Sequence, residues 1–475
     1  MRPHALSIIW EGEESYIMVN KKYSFKRWTI PLEEIAQQKI SDVFYRIIHI
    51  PSLNVLTLKE ASVDFWKVIK MTNNFDNCLL KLADIFSVPK QKLKQDLAGF
   101  IEELFNSGFL ILENTKREVN SPVWDITPSS DMEFVDYSIE NHFLRSVQIE
   151  LTKKCNENCI HCYIVNKHEK ELVTNEWLNI IDQLTEMGCG DVVITGGELF
   201  TRKDTVEIIR YARKKLMLLD IFSNLTLLND EEIDVISKLY VRSVQASVYS
   251  NSEEIHDRIT QKKGSFKKTV HALERFKANG IQIAIKYPLM TLNYNDLDKL
   301  KDFAEKMGAI LQIDPVISVK TNGDKTPLQY RLEDEQILER IVTRPDVNFL
   351  MDSEIPRGKR KIIASKIICG AGLNAIYINA NGVVWPCVAF PLDLGNLQIT
   401  SLRSIWQKSD ALKNWRRYTW SDVKKCNVCK YAEICNFCPG ISYAENGDAL
   451  RANDSACRLT YLYAHKLKIK NPVSS

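Results

Sequence analysis

A regular alternation of strand-like and helix-like segments, beginning at Ser146, constrains the fold more than any other feature of the sequence. Six short apolar segments have the length of buried strands: Ser146–Leu151, Asp191–Thr195, Met217–Phe222, Ser243–Val248, Gln282–Tyr287 and Ile310–Ile313. Five amphipathic segments lie between them: Thr174–Met187, Asp204–Lys214, Asp230–Leu239, Phe266–Ala278 and Asn295–Met307. This alternation predicts an α/β fold with a parallel sheet and right-handed crossovers. Because a full barrel needs eight strands, we expect an open, partial barrel.

Three cysteines directly follow the first predicted strand, at the end of the sheet where reactive groups gather: Cys155, Cys159 and Cys162. No secretory signal precedes them, so the 12 cysteines of the chain are expected to be reduced thiols. Three thiolates from one loop can hold three irons of a four-iron cluster and leave the fourth iron open. Zinc is the alternative, but no further local cysteine or suitably spaced histidine supplies a fourth ligand.

The Cys-x3-Cys-x2-Cys motif resembles that of the radical S-adenosylmethionine (SAM) enzymes, which carry it on the loop after the first strand of a partial (β/α)6 barrel. The resemblance covers Ser146 to Ile317. A Gly-Gly-Glu segment ends the second predicted strand, as it does in that family. The resemblance implies that SAM binds the open iron and is cleaved by one electron to a 5′-deoxyadenosyl radical.

The same resemblance implies a set of residues that contact SAM: His161, Gly196, Gly197, Glu198, Ser223, Asn224, Ser247 and Arg258. The two glycines would let the backbone approach the ligand, and Glu198 would accept hydrogen bonds from its ammonium group. The serines and Asn224 would hold the ribose, Arg258 would meet the methionine carboxylate and His161 would pack on the adenine. For each of these last residues, an ordinary turn or surface position is the alternative.

Seven more cysteines lie in the last quarter of the chain, where regular periodicity fades: Cys369, Cys387, Cys426, Cys429, Cys435, Cys438 and Cys457. We expect such a segment to need metal for its stability. A zinc ribbon usually separates its two cysteine pairs by about a dozen residues, whereas only five residues lie between Cys429 and Cys435. Seven thiolates are one fewer than two fully cysteine-ligated four-iron clusters need.

This pattern resembles the SPASM extension of radical SAM enzymes, which carries two auxiliary clusters. The resemblance assigns Cys369, Cys387 and Cys438 to the first cluster, and a second set of four to the other cluster: Cys426, Cys429, Cys435 and Cys457. With the first motif, this implies three [4Fe-4S] clusters. The first auxiliary cluster would keep one position for a substrate thiolate, a carboxylate or water. Cys78 and Cys189 remain as structural thiols.

The first 118 residues have the pattern of a winged helix. A hairpin is predicted at Leu6–Trp10 and Ser15–Val19, and a strand at 54–58. Three helices and a final strand follow: Lys59–Lys70, Phe75–Phe86, Pro89–Asn106 and Phe109–Leu112. Because this region has 16 basic and 15 acidic residues, it lacks the positive charge that DNA binding needs. It resembles the PqqD-like recognition elements, which bind a leader peptide as an added strand.

The predicted domains are a peptide-recognition winged helix (1–118), a linker (119–141), a radical SAM partial barrel (142–320) and a SPASM-type domain (321–475). This arrangement resembles the peptide maturases that form thioether links, the sactisynthases and ranthipeptide synthases. Carbon–carbon or other crosslinks are alternatives, as is oxidation of the sulfatase-maturase kind. That last group has an aspartate after the auxiliary-cluster cysteine, where this chain has Val388. An iron–sulfur redox-sensing regulator is the alternative outside enzymes.

The implied partners are a precursor peptide with its leader and an external electron donor such as flavodoxin or ferredoxin. A net charge of +3 does not suggest nucleic acid as a partner. No apolar stretch of about 18 residues predicts a membrane span, so a cytoplasmic protein is expected. The sequence does not identify a general base, and the catalytic residues outside the cofactor site stay unassigned.

Overall fold

The computed structural model describes residues 28–32, 35–41, 44–112, 128–342, 344, 367–435 and 437–466. The chain divides into two compact units, residues 1–134 and residues 135–475. The hairpin predicted over Leu6–Trp10 and Ser15–Val19 lies outside the described residues.

The N-terminal unit has a three-stranded antiparallel sheet, a separate two-stranded sheet and three helices. Its strands are β1 (Trp28–Thr29), β2 (Ile35–Ser41), β3 (Phe44–His49), β4 (Asn54–Lys59) and β5 (Ile111–Leu112). Its helices are α1 (Ala61–Lys70), α2 (Phe75–Phe86) and α3 (Lys90–Asn106). Strand β3 pairs with β2 on one side and β4 on the other, and β1 pairs with β5. The three helices and the strand at 54–58 were predicted, whereas β2 and β3 were not.

Aromatic side chains form the core of this unit. Trp66 of α1 is fully buried and packs edge-on against Phe109, which is also fully buried. Asn74 begins α2, because its side chain accepts a hydrogen bond from the backbone amide of Asn77. Cys78 lies in the same core with no exposed surface, as expected of a structural thiol.

The larger unit is built on a mostly parallel sheet. Its first six strands are β6 (Ser146–Glu150), β7 (Asp191–Thr195), β8 (Leu218–Phe222), β9 (Ser243–Ser247), β10 (Gln282–Pro288) and β11 (Ile310–Asp314). Helix α4 (Pro128–Glu140) crosses the boundary between the two units. The helices that alternate with the strands are α5 (Thr174–Glu186), α6 (Thr205–Lys214), α7 (Asp230–Ser237), α8 (Glu253–Thr260), α9 (Ser265–Ala278) and α10 (Leu297–Met307). The predicted α/β partial barrel is therefore confirmed.

Helices α4 and α8 were not predicted. Helix α8 lies between β9 and α9, in a segment too polar to show a clear apolar face. Helix α4 covers half of the predicted linker and starts at Pro128, a residue that we took as a loop signal although proline is favoured in the first turn of a helix.

The C-terminal region continues the same sheet. Strand β12 (Ala375–Ile378) pairs in parallel with β6, and β13 (Val383–Trp385) and β14 (Gly395–Asn396) follow antiparallel. Its helices are α11 (Glu335–Val342), α12 (Leu402–Lys408), α13 (Asp410–Arg417), α14 (Pro439–Asn446) and α15 (Asp454–Lys466). None of the helices in the described part of the chain has the length and apolar character that a membrane span requires.

Candidate active site

A cavity of about 570 Å³ opens at the carboxyl ends of the parallel strands. The loop after β6 lines it with all three of its cysteines, Cys155, Cys159 and Cys162. Residues at or near the ends of the next strands line it too: Gly196, Gly197, Ser223, Asn224, Ser247, Lys286 and Asp314. The cysteine motif therefore lies where a parallel α/β sheet places its reactive groups.

The cysteine loop is fixed by hydrogen bonds at both of its ends. Arg202 donates to the carbonyls of Leu151 and Leu172, at 3.1 and 2.9 Å. Further along, the amide of Asn158 donates to the carbonyl of Thr260, the last residue of α8. The unpredicted helix α8 therefore helps to hold the cysteine loop in place.

The two glycines at the end of β7 allow the cysteine loop to pack against this strand. The amide of Gly197 donates to the carbonyl of Thr152 at 2.7 Å. A Cβ atom on Gly197 would lie 2.4 Å from the Lys154 carbonyl oxygen, and one on Gly196 would lie 2.8 Å from that of Thr152. These are backbone atoms, which cannot move aside alone. The glycines line the cavity as predicted, and close backbone packing adds a second reason for them.

Glu198 does not line the cavity, and the sequence did not suggest the position it occupies. It is completely buried, and its carboxylate accepts hydrogen bonds from the Ser223 hydroxyl at 2.8 Å and from the backbone amide of Asn224 at 2.7 Å. The amide of Phe200 donates to it as well. Burial raises the pKa of the Glu198 carboxyl, and these hydrogen bonds oppose that rise. In this structure Glu198 holds Ser223 and Asn224 in place, and these two residues form the cavity wall.

Neighbouring side chains contact the thiols of the loop. The side-chain amide of Asn224 lies 3.9 Å from the Cys155 sulfur, and the Tyr249 hydroxyl lies 3.9 Å from the Cys159 sulfur. Burial raises the pKa of the Cys155 thiol to about 11, and nearby Glu157 contributes to the rise. A thiol binds metal only after it loses its proton, and burial disfavours the resulting negative charge. A bound metal ion would supply the positive charge that stabilises this buried thiolate.

The other predicted SAM contacts divide between the cavity and the surface. His161 and Ser247 line the cavity, and the His161 ring packs edge-on against Tyr249 at 5.1 Å. The Nδ1 atom of His161 is buried without a hydrogen-bond partner among the described residues. Arg258 lies on the exposed side of α8 and does not line the cavity. The structure therefore does not place Arg258 where it would meet a methionine carboxylate.

Lys286 and Asp314 are cavity residues that sequence reasoning missed. Their strands, β10 and β11, are neighbours, and each charge influences the pKa of the other group. The Lys286 ammonium lies 3.5 Å from the centre of the Phe222 ring, and burial lowers its pKa to about 8. A lysine in a strand that is otherwise apolar is the signal that would have found this site.

The first auxiliary set of cysteines lies beside the opposite wall of the cavity. Each thiol of this set influences the pKa of another, which places Cys369, Cys387 and Cys438 near one another. Residues that follow two of them line the cavity: Val388, Ala389 and Ile441. Asp314 also raises the pKa of the Cys438 thiol, so the cavity reaches from the first cysteine loop to this set.

The second auxiliary set lies away from the cavity. Burial raises the pKa of the Cys426 thiol to about 12, and the nearby thiols of Cys435, Cys457 and Cys429 contribute to the rise. Cys426 is buried, whereas Cys429 and Cys457 are exposed. The structure thus brings together the four cysteines that the sequence assigned to one cluster.

A cluster around the buried residues Glu150 and Tyr377 lies between the first cysteine loop and the first auxiliary set, and no local sequence pattern predicted it. Tyr377 of β12 hydrogen bonds to Glu150, the last residue of β6, and stacks on Trp385 at 5.2 Å. Burial raises the pKa of Glu150 to about 7. Tyr163 is 37% exposed, and the charges of Glu150, Cys162 and Cys387 all act on it, so it lies near both thiol sites.

The donor atoms fit iron–sulfur clusters and SAM. Burial raises the pKa of at least one thiol in each cysteine set, namely Cys155, Cys387 and Cys426. The cavity beside the first set has a ring nitrogen of His161 and a carboxylate oxygen of Glu157 without a hydrogen-bond partner among the described residues. Within the described residues, no three His, Cys, Asp or Glu side chains converge on the position of one metal ion.

Comparison with known families agrees with this geometry. Residues 149–305 match the radical SAM superfamily, and residues 369–436 match SPASM, an iron–sulfur cluster-binding domain. The protein is a radical SAM enzyme with a SPASM domain, and its cofactors are SAM and [4Fe-4S] clusters in these two domains. Within this class it is related to the SkfB and AlbA maturation proteins, SuiB, the PqqA peptide cyclases and the AdoMet-dependent heme synthases.

Two curated relatives show the range of this class. The AdoMet-dependent heme synthase of Methanosarcina barkeri is 24% identical over 330 residues, which are 64% of this chain and 94% of that protein. The antilisterial bacteriocin subtilosin biosynthesis protein AlbA of Bacillus subtilis is 27% identical over 303 residues, which are 61% of this chain and 66% of that protein.

Among solved structures, Streptococcus suis SuiB bound to its precursor peptide SuiA has a similar fold. The TM-score is 0.60 at 16% sequence identity, and the match covers 91% of this chain and 99% of SuiB. At this identity the likeness concerns the fold alone.

Proposed function

We propose that the protein is a maturase of a ribosomally made peptide and forms thioether crosslinks from cysteine sulfur to carbon. The observation that carries this proposal is the cavity itself, which extends from the first cysteine loop to the residues beside Cys387 and Cys438. When bound, SAM and the clusters supply a 5′-deoxyadenosyl radical and an acceptor for the surplus electron. A peptide held between the two walls is within reach of both.

The cavity wall suits a peptide side chain. Lys286 and Asp314 offer charges of opposite sign on neighbouring strands, and neither forms an ion pair among the described residues. Val388 and Ala389 supply an apolar surface on the opposite side. Side chains of this kind orient a ligand through a few polar contacts and exclude water over the rest.

The N-terminal unit supports a peptide substrate. Among the described residues, β2 and β4 are the outer strands of the three-stranded sheet, and an edge strand can pair with an added peptide strand. Several large apolar side chains of this unit are exposed: Leu32, Met71, Leu80 and Ile85. The SuiB structure includes a precursor peptide, and its match covers 91% of this chain, which is well beyond the barrel and SPASM regions.

A porphyrin substrate is the second candidate, because AdoMet-dependent heme synthases are among the curated relatives. That match covers 64% of this chain, and such a function gives the N-terminal unit no role. Oxidation of the sulfatase-maturase kind is disfavoured because Val388, which has no basic group, follows Cys387. The near-neutral charge of the first 118 residues disfavours a DNA-binding regulator.

We further propose three [4Fe-4S] clusters and an external electron donor of the flavodoxin or ferredoxin type. Cys155, Cys159 and Cys162 hold the radical cluster, and the two auxiliary sets hold one cluster each. The first auxiliary set has three thiols, and the charge of Asp314 acts on one of them, Cys438.

The product of the reaction tests this function. Enzyme loaded with iron and sulfide would be incubated with SAM, a reductant and the precursor peptide encoded beside its gene. For each crosslink, we expect the peptide to lose the mass of two hydrogen atoms and one thiol that reacts with iodoacetamide. A precursor with that cysteine replaced by serine is the matched control. Mass loss with every thiol still reactive would exclude a thioether and favour a carbon–carbon link.

A further inference from the structure

One surface of the larger unit combines exposed cysteines, lysines and apolar side chains. We name it the lysine face, and its members are Lys424, Lys425, Val428, Cys429, Lys430, Cys457 and Tyr461, all of which are exposed. Two of the four cysteines of the second auxiliary set belong to it. The cysteines of the first auxiliary set, by contrast, are only partly exposed. Among the auxiliary cysteines, those of the second set are therefore the ones that an outside molecule can approach.

The lysine face is positively charged. Lys424, Lys425 and Lys430 lie within seven residues that include no acid, and none of them forms an ion pair among the described residues. Lys425 is close enough to act on the thiols of both Cys426 and Cys457. Of the acids near this segment, Asp422 caps the backbone amide of Thr419, and Asp454 acts on Cys457. Three lysines therefore face solvent beside the cysteines.

The centre of the lysine face is apolar. Val428 is 84% exposed between the cysteines of its knuckle, and Tyr461 lies one helical turn after Cys457 on the same side of α15. Tyr461 packs against Tyr431, and the Lys430 ammonium lies 4.8 Å from the centre of the Tyr431 ring. Exposed apolar side chains beside three lysines suit a brief encounter with an acidic protein.

We propose that the lysine face is the docking surface for an acidic one-electron carrier protein of the flavodoxin kind. The carrier loses one electron to the second auxiliary site, no atom is transferred, and each SAM cleaved consumes one such electron. The proposal rests on the radical SAM class of the protein and on an external donor, and it does not depend on the crosslink that the enzyme makes. Charge steers the encounter, so it must weaken as salt screens the lysines.

A charge-reversal variant tests this surface. In the K424E/K425E/K430E enzyme, 5′-deoxyadenosine formation driven by reduced flavodoxin should fall at least tenfold at low salt. Formation driven by reduced methyl viologen, a small cation, should not fall. A matched variant, K238E/K268E/K299E, reverses three exposed lysines on the outer barrel helices and should behave like the wild type with both reductants.

A binding readout complements these rates. Oxidised flavodoxin joined to the wild-type enzyme by a zero-length carbodiimide should crosslink at Lys424, Lys425 or Lys430, as mapped by mass spectrometry. Crosslinks confined to other lysines, or an unchanged flavodoxin-driven rate in the variant, would overturn the proposal. If the variant assembles less iron, the salt dependence of the wild-type enzyme decides. Its flavodoxin-driven rate must fall between 50 and 300 mM NaCl, because the Debye length shortens from about 14 Å to about 6 Å over this range. A rate independent of salt would overturn the proposal as well.

Discussion

The carboxylate of Glu198 lies 2.8 Å from the hydroxyl of Ser223, although the two residues follow different strands of the barrel. The backbone amide of Asn224 donates to the same carboxylate at 2.7 Å. The Gly-Gly-Glu segment thus joins the ends of β7 and β8, and it does so beneath the cavity wall. The motif suggested that Glu198 contacts the ligand. In the structure its carboxylate instead supports Ser223 and Asn224 of the cavity wall.

Replacing Glu198 by glutamine should weaken this support. All of its partners are hydrogen-bond donors, so an amide nitrogen in the carboxylate position would face another donor. We expect the free energy of unfolding to fall by about 1.5–3 kcal/mol, as measured by denaturant titration, and SAM to bind more weakly. Glu186→Gln, at an exposed glutamate of α5, is the control and should change little. Normal stability and normal SAM affinity in Glu198→Gln would contradict the supporting role.

Replacing Gly197 by alanine should displace the cysteine loop. The new Cβ would lie 2.4 and 2.6 Å from two carbonyl oxygens of that loop. We expect the reconstituted variant to lose about one-third of its iron, the share of one cluster in three, and to stop cleaving SAM. Gly280→Ala is the control, because its Cβ meets nothing within 4 Å and the cost is only that of a positive φ. Iron content equal in both variants would argue against the packing explanation.

The cysteine sets should be separable by iron analysis. Reconstituted wild-type enzyme should hold about 12 iron atoms per chain, four for each set. Replacing Cys155, Cys159 and Cys162 by alanine should leave about two-thirds of the iron and abolish SAM cleavage. Replacing Cys426 and Cys429 should leave a similar share, while cleavage driven by methyl viologen persists. Stoichiometric zinc with little iron in the wild type would refute the cluster assignment.

Lys286 should lower stability in a way that depends on pH. Its pKa is lowered to about 8 in the folded protein, mainly by burial, so the unfolded chain binds more protons between that value and the ordinary lysine pKa. Below pH 8 Lys286 is charged in the folded protein, and the full cost of burying that charge lowers the free energy of unfolding. This free energy should rise as the pH increases from about 8 to the ordinary lysine pKa. Lys286→Met should therefore be more stable than the wild type at pH 7, by about 2–3 kcal/mol.

Denaturant titrations at pH 7 and pH 10 would measure this difference, which should shrink at the higher pH. Because Lys286 lines the cavity, we also expect the methionine variant to form less crosslinked peptide while still cleaving SAM. Such an exchange of stability for function is common at sites that bind substrate. A stability difference that is the same at both pH values would show that the lysine is not buried as its position suggests.

Much of the barrel could be predicted because buried parallel strands are short apolar runs between amphipathic helices. The six strands from Ser146 to Asp314 therefore match the structure to within about two residues at each end. Strand β2 was missed because Gln37, Gln38 and Lys39 interrupt its apolar residues. The two auxiliary sets of cysteines were grouped by their resemblance to a family, and in the structure thiols of each set lie close enough to influence one another.

Contacts between distant segments could not be predicted from local patterns. Tyr377 meets Glu150 only because β12 pairs with β6, more than 200 residues earlier in the chain. Arg258 was expected at the cofactor, but it lies on a helix that the polar sequence concealed, and that helix turns the side chain to solvent. Glu198 shows the same limit, since a carboxylate at a strand end can point into a cavity or beneath it.

The most direct test of the proposed function is transfer of deuterium from the peptide to the cofactor. The precursor peptide encoded beside the gene would be made with deuterated amino acids, one residue type at a time, and incubated with SAM and reduced enzyme. The account predicts that deuterium from one residue type of the core peptide appears in 5′-deoxyadenosine and that the crosslink maps to the same residue. Product formation with no deuterium transferred from any peptide position, or transfer only from a porphyrin substrate, would contradict it.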